Sequence, residues 1–222
     1  MEGKHLIPPD YKDYKYGLDM ALKLAGEKLA SINIEEQCVK SSATLKLIKD
    51  KETILLDYLG STYIITLPDM DISPACSSQE TVKPRDKLLM LHYFINADGS
   101  PLTDKKITYK EIPDGTTYFP TFYKRAIKPL LDNFAKKPHE LLGVAAKLGG
   151  TKADFGDLSV TINAFQKVPL IFVLWFGDDE LAPEGSILFD SNITGYLSAE
   201  DITVLCEIIA WRLIGYSREL KK

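Results

Sequence analysis

The sequence predicts a mixed α+β fold: antiparallel or mixed sheets from strands near 44–66, 106–112 and 157–190, packed by N-terminal, central and C-terminal helices. Three observations predict it. Apolar residues recur at helical spacing near both ends of the chain, strand-like alternation is concentrated in two separate stretches, and proline- and glycine-marked helical segments lie between them. A chain of 222 residues buries roughly 70% of its unfolded surface, so a single domain over 1–222 is expected, with sub-lobes 1–115 and 116–222.

The first element is the amphipathic helix DYKDYKYGLDMALKLAGEKLASI (10–32), where Leu18, Ala21, Leu22, Ala25 and Leu29 share a stripe. After a polar joint, TLKLIK, TILLDYLG and STYIITLP read as a three-stranded antiparallel meander with turns at 50–51 and 60–61. Residues 68–85 hold three prolines and no period, which predicts a surface loop. Asp86 then stands at an N-cap position before LLMLHYFI, whose length suits a buried helix that ends at Asn96–Gly99. KKITYKEIP reads as a short strand, closed by the turn PDGTTYFP.

TFYKRAIKPLLDNFAKK and KPHELLGVAAKLGG are helical, the first kinked or divided at Pro129 and the second started near Pro138 and capped by Gly149. DLSVTINAF and VPLIFVLWF are strands, the second apolar on both faces and so central in its sheet. ILFD is a shorter strand. In the final helix Ser198 is the cap, Asp201 reaches back to it, and Ile202, Leu205, Ile209 and Leu213 form the apolar stripe.

Composition narrows the function classes. The net charge is −4, with acids and bases interspersed, so there is no basic stripe for nucleic acid. The longest apolar run, Val168–Phe176, is too short to cross a bilayer as a helix, and no membrane partner is expected. The first residues show no apolar signal core, which predicts a cytoplasmic location. Cys38, Cys76 and Cys206 are too dispersed for a disulfide framework or metal knuckle, and Cys206 reads as a core residue. Neither phosphate-loop glycine pattern is present, nor a calcium loop, a zincin motif or a catalytic triad order.

Three places hold candidate chemistry. Asp178, Glu180 and Asp190, with Asp179 and Glu184 in the loop between their strands, are the candidate divalent-metal ligands; the other reading is a solvated turn whose acids cap local amides. His92 interrupts an apolar run, where an imidazole is either a hydrogen-bonded core residue or an axial ligand to a metal-containing cofactor. Tyr118, Phe119, Phe122 and Tyr123 beside Lys124 and Arg125 form either an apolar wall with a cationic rim for an anionic planar ligand or, for Phe122, ordinary core.

The C-terminal half carries Gly149-Gly150-x5-Gly156-Asp157, a strand, Val168-Pro169, Trp175 with Gly177-Asp178-x-Glu180, Leu188-Phe189-Asp190 and Tyr196-Leu197-x-x-Glu200-Asp201. This pattern resembles the family named domain of unknown function 3786, and YLGSTYIITLPD and LLMLHYFINADGSPLTDKKITYKEIPDGTTY resemble its earlier sections, so that the likeness runs from about residue 15 to 215. The resemblance is to proteins spread among anaerobic bacteria and archaea, some of which carry an added four-cysteine iron–sulfur domain. This chain's three cysteines do not form that set, so an iron–sulfur centre would come from a partner protein. The resemblance carries over His92, Tyr93, Gly156, Asp157, Pro169, Trp175, Asp178, Glu180, Phe189, Asp190, Glu200 and Asp201.

Together these readings give a ligand-binding or accessory protein of anaerobic metabolism. The expected site is His92, Tyr93, Tyr118, Phe119, Tyr123, Arg125 and Trp175, and the expected ligand is a small molecule such as a corrinoid or another tetrapyrrole. Two alternatives remain open: an enzyme using a divalent metal at the acidic turn, and a protein-interaction module.

Overall fold

The computed structural model describes residues 15–76 and 81–220. Helix α1 (Lys15–Leu29) buries Ala25 and Leu29; residues 10–14 of the expected helix lie outside the described residues. The expected polar joint contains a helix, α2 (Ile34–Ser41), started by Asn33, whose side chain accepts the Glu36 N–H at 3.0 Å. It has no apolar stripe because what it buries is mostly polar. Gln37 is inward, and its Nε2 donates to the carbonyls of Phe94 (2.7 Å) and Ala97 (2.8 Å).

Strands β1 (Thr44–Ile48), β2 (Lys51–Tyr58), β3 (Ser61–Thr66) and β4 (Asp71–Pro74) form an antiparallel sheet in that order. The meander is as expected, but its two-residue turns are Lys49–Asp50 and Leu59–Gly60, one residue earlier than the sequence reading. All four turn residues have positive φ, from 49° to 76°, the sign that gives a hairpin the twist of its strands. Strand β4 corrects the expected loop over 68–85. It is four residues long, lies at the sheet edge and ends on Pro74, a place where a missing N–H is tolerated.

Helix α3 (Pro84–Asn96) begins two residues before Asp86. Lys83 occupies the cap position and Pro84 opens the helix, so Asp86 is not the N-cap; it lies in the first turn with 3% exposure. Strand β5 (Lys106–Thr108) is shorter than expected because the chain enters a 3₁₀ turn at Tyr109–Glu111. The expected closing turn PDGTTYFP instead supplies α4 (Gly115–Phe122), which continues through a π-helical stretch, Tyr123–Ile127, into α5 (Lys128–Phe134). Pro129 explains the π stretch. It has no N–H to give to the carbonyl four residues back and its ring crowds that carbonyl, so the turn widens, with the Lys128 N–H reaching Tyr123 O. Helix α6 (His139–Ala145) has Pro138 at its cap and ends through a 3₁₀ turn at Gly149, φ 70°.

The second sheet has β6 (Thr151–Ala153), β7 (Leu158–Phe165), β8 (Val168–Trp175) and β9 (Glu184–Asp190) in the antiparallel order β5-β9-β8-β7-β6, which places β8 centrally as expected. Glu184 opens β9 opposite Trp175, so it belongs to the strand rather than the loop. The sheets meet where the Leu59 N–H donates to Ala164 O (3.0 Å) and the Tyr58 ring packs on Phe165, centroids 5.0 Å apart, while Tyr93 of α3 stacks on Phe165 at 4.0 Å. Helix α7 (Ala199–Glu219) has the expected capping box, and Ile202, Leu205, Ile209 and Leu213 are each 0% exposed. Cys206 is buried beside them, and burial pushes its thiol well above the usual range. One apolar cluster runs from Ala25 through both sheets to Ile214. Among the described residues no helix is long and apolar enough to cross a membrane.

Candidate functional site

Charged side chains from two segments, α3 and the π-helical stretch, converge on α7. Arg85 Nη2 lies 2.6 Å from Glu207 Oε2, and Arg125 Nη2 lies 2.9 Å from the same oxygen, while Arg125 Nη1 pairs with Glu200 at 2.9 Å. Arg212 Nη2 meets Asp86 Oδ1 at 2.7 Å, and the Tyr58 hydroxyl donates to that oxygen at 2.7 Å. Glu207 and Asp86 are 2% and 3% exposed, so each carboxylate depends on its partners for the solvation it has lost. Burial opposes the charge on Arg125 and Arg212, yet their carboxylate partners hold both guanidiniums above the ordinary value. Burial and then Asp86 push the Tyr58 phenol well up, which keeps it a hydrogen-bond donor.

The partners ascend α3 as they descend α7: Arg85 with Glu207, His92 with Asp201. The two helices therefore lie antiparallel, joined by polar rungs along one seam. At its lower end His92 Nδ1 is 2.7 Å from Asp201 Oδ1, and Ser198 Oγ donates to Asp201 Oδ2 at 2.6 Å. Burial raises the Asp201 pKa, but the bonds from His92 and Ser198 outweigh it and hold the carboxyl below its usual value. The carboxylate stands between serine and imidazole, so Ser198 Oγ is bound to the carboxylate and not to the imidazole. That order does not activate it as a nucleophile. It does fix the His92 ring, directing Nε2 away from the carboxylate on a side chain 30% exposed.

Above these rungs lies a groove of about 1160 Å³ between α1, the end of β4, the start of α3 and the C-terminal half of α7. Tyr63, Trp211 and Tyr216 line it, and Arg85, Asp86, Glu207 and Arg212 open onto it. Arg212 also lies over the Tyr58 ring, 5.6 Å from its centroid. Aromatic faces beside anchored guanidiniums are the combination that grips flat molecules with polar edges.

The expected site residues are distributed over several places. Tyr93 is in the core, fully buried, with its hydroxyl donating to Ser41 O at 2.8 Å. Tyr118 is exposed on α4, and Phe119 is half-buried under Lys110 Nζ, 4.3 Å from its ring. Phe122 is core, stacked on Tyr109 at 3.9 Å. Arg125 turns to α7, whereas Tyr123 joins residues 177–183 around a second cleft of about 810 Å³. Trp175, 40% exposed, stands at the end of β8 near that cleft's loop.

The three proposed metal ligands do not converge. Asp178 accepts the N–H groups of Glu180 (2.8 Å) and Leu181 (2.7 Å), the local capping geometry that was the alternative reading, and these bonds lower its pKa. Asp190 is at the other end of β9, six residues from Glu184 and so about 20 Å along the strand. There it accepts from Thr103, Asp104 and Asn192; burial opposes its charge, but these donors hold the carboxyl at about 2. Among the described residues no group of three or more His, Cys, Asp or Glu is placed to hold a metal ion.

A family model described as Domain of unknown function (DUF3786) matches residues 37–212. The chain belongs to this family. No curated protein and no solved structure matches it. The DUF3786 span begins at Gln37, so α1 lies outside it, whereas the whole set of ionic rungs from Asp86 to Arg212 lies inside. Reasoning from sequence missed Arg85, Glu207, Trp211 and Arg212. One signal was present: Glu207 is a lone acid inside the apolar run VLCEIIAW of a DUF3786 helix, where a charge is retained only with partners.

Proposed function

We propose that this DUF3786 chain binds a planar small molecule with polar groups at its rim, in the groove along the C-terminal half of α7. The observation that carries the reading is Arg212, fixed by buried Asp86 and opening onto the same groove as Trp211. A guanidinium has five N–H donors, and one bond to Asp86 orients the others without consuming them. Trp211, Tyr63 and Tyr216 offer the apolar faces on which a flat ligand stacks. A corrinoid or another tetrapyrrole, handled by an accessory protein of anaerobic metabolism, is a ligand of this kind.

A second reading is favoured by one observation. Asp201 holds His92 Nδ1, an arrangement that orients an imidazole whose other nitrogen ligates a metal, as an axial ligand to a tetrapyrrole would. His92 does not line the groove, so the two readings separate experimentally. Anaerobic purification followed by visible absorption and native mass spectrometry tests both. A retained small molecule lost in Trp211→Ala supports the groove, and one lost in His92→Ala supports axial ligation. Absence of any added mass, together with no uptake of a porphyrin, a corrinoid or a flavin, overturns both.

A further inference from the structure

The end of the second sheet remote from Asp190 has a surface that the groove does not use. Phe155, Trp175, Phe176 and Leu181 are 39%, 40%, 41% and 70% exposed. They lie at the end of β8 and on the two loops adjoining it: the Asp157 N–H donates to Leu174 O (3.1 Å), and the Phe176 N–H donates to Asp157 Oδ2 (2.7 Å). Gly156, φ 57°, permits this approach, since a Cβ there would lie 2.7 Å from Val173 Cγ1 and 2.9 Å from Leu174 O. The cleft lined by Tyr123, Leu131 and residues 177–183 borders the same loop.

The charges on the two segments that carry these side chains are of one sign. Segments 153–157 and 175–184 contain Asp154, Asp157, Asp178, Asp179, Glu180 and Glu184 and no lysine or arginine. Facing the loop across the cleft are Lys128, already paired with Asp132 at 2.9 Å, and Lys136. Exposed aromatic and aliphatic side chains inside a rim of one charge sign mark an association surface, with the rim selecting partners of opposite sign.

We infer that this end of the sheet docks a protein segment presenting lysine or arginine side chains around an apolar anchor. The acids steer and orient it, and Trp175, Phe176 and Leu181 bury the anchor. The surface shares no lining residue with the α7 groove, so it stands or falls independently of the ligand.

The chain has two tryptophans, so Trp211→Phe leaves Trp175 as the only indole reporter. This variant is titrated with a synthetic lysine–leucine peptide and with its glutamate–leucine counterpart. The expected result is a blue shift of Trp175 emission with the basic peptide alone, weakened by salt. Affinity should fall about tenfold in Asp179→Asn/Glu180→Gln/Glu184→Gln and again in Phe176→Ala/Leu181→Ala. Asp178 is left intact because it caps the loop, and circular dichroism confirms that the exposed-site variants fold. Equal responses to both peptides, no response to either, or unchanged affinity in the charge variant would overturn the inference.

Discussion

Arg212 and Asp86, 126 residues apart in sequence, meet at 2.7 Å with the Tyr58 hydroxyl on the same carboxylate oxygen. Breaking a buried pair from one side leaves an uncompensated charge, so Asp86→Ala should destabilise the protein by about 3–5 kcal/mol in urea unfolding. Adding Arg212→Met should restore part of that loss, because the charge left behind is also removed. Additive losses would mean that the two residues act separately.

Asp190 gives a pH-dependent prediction. Its folded pKa of about 2 lies below the ordinary carboxyl value, so its stabilisation is fully present above pH ~4 and is lost as pH falls through the folded value. Asp190→Asn should therefore cost about 2 kcal/mol at neutral pH, and the gap from the parent should narrow steadily as unfolding is measured from pH ~4 toward pH ~2.

Gly60 combines a left-handed φ of 76° with close approach to another segment: a Cβ there would lie 3.0 Å from the Leu148 carbonyl carbon. Gly60→Ala should cost about 1–2 kcal/mol from the conformation alone, and more because the backbone of 148–149 must move. Gly143, where a Cβ would meet nothing within 4 Å, is the control, and Gly143→Ala inside α6 should be neutral or stabilising in thermal melts.

Ser198 both caps α7 and steadies the acid that holds His92. Ser198→Ala should cost about 1 kcal/mol and speed amide exchange in the first turn of α7. It should also broaden the His92 ring resonances, because Asp201 loses a fixed orientation; unaltered resonances would show that the helix backbone alone positions the acid.

The elements legible in the sequence were those whose signals are local. The Ser198–Asp201 box lies within four residues, and β8 announces its central place by being apolar on both faces. Strand β4 was not legible, since four residues ending on a proline cannot display an alternation, nor was α2, whose buried side chains include Gln37 and Ser41. The groove was harder still. Its charged partners are separated by 122 to 126 positions, and nothing in the local pattern around Arg85 or Arg212 states which acid each one finds. The carboxylates of the acidic turn are adjacent in sequence, yet the length of β9 keeps Asp178 and Asp190 apart.

Thermal unfolding with and without ligand tests the central claim most directly. A molecule that binds only the folded chain at 100 times its dissociation constant adds about 2.7 kcal/mol of stability, a rise of roughly 5–10 °C for a chain of this size. The α7 groove predicts such a rise for at least one of a porphyrin, a corrinoid or a flavin, with the rise, taken for each protein from its own unliganded melt, lost in Trp211→Ala. No rise with any of the three, or the same rise in Trp211→Ala, would contradict it.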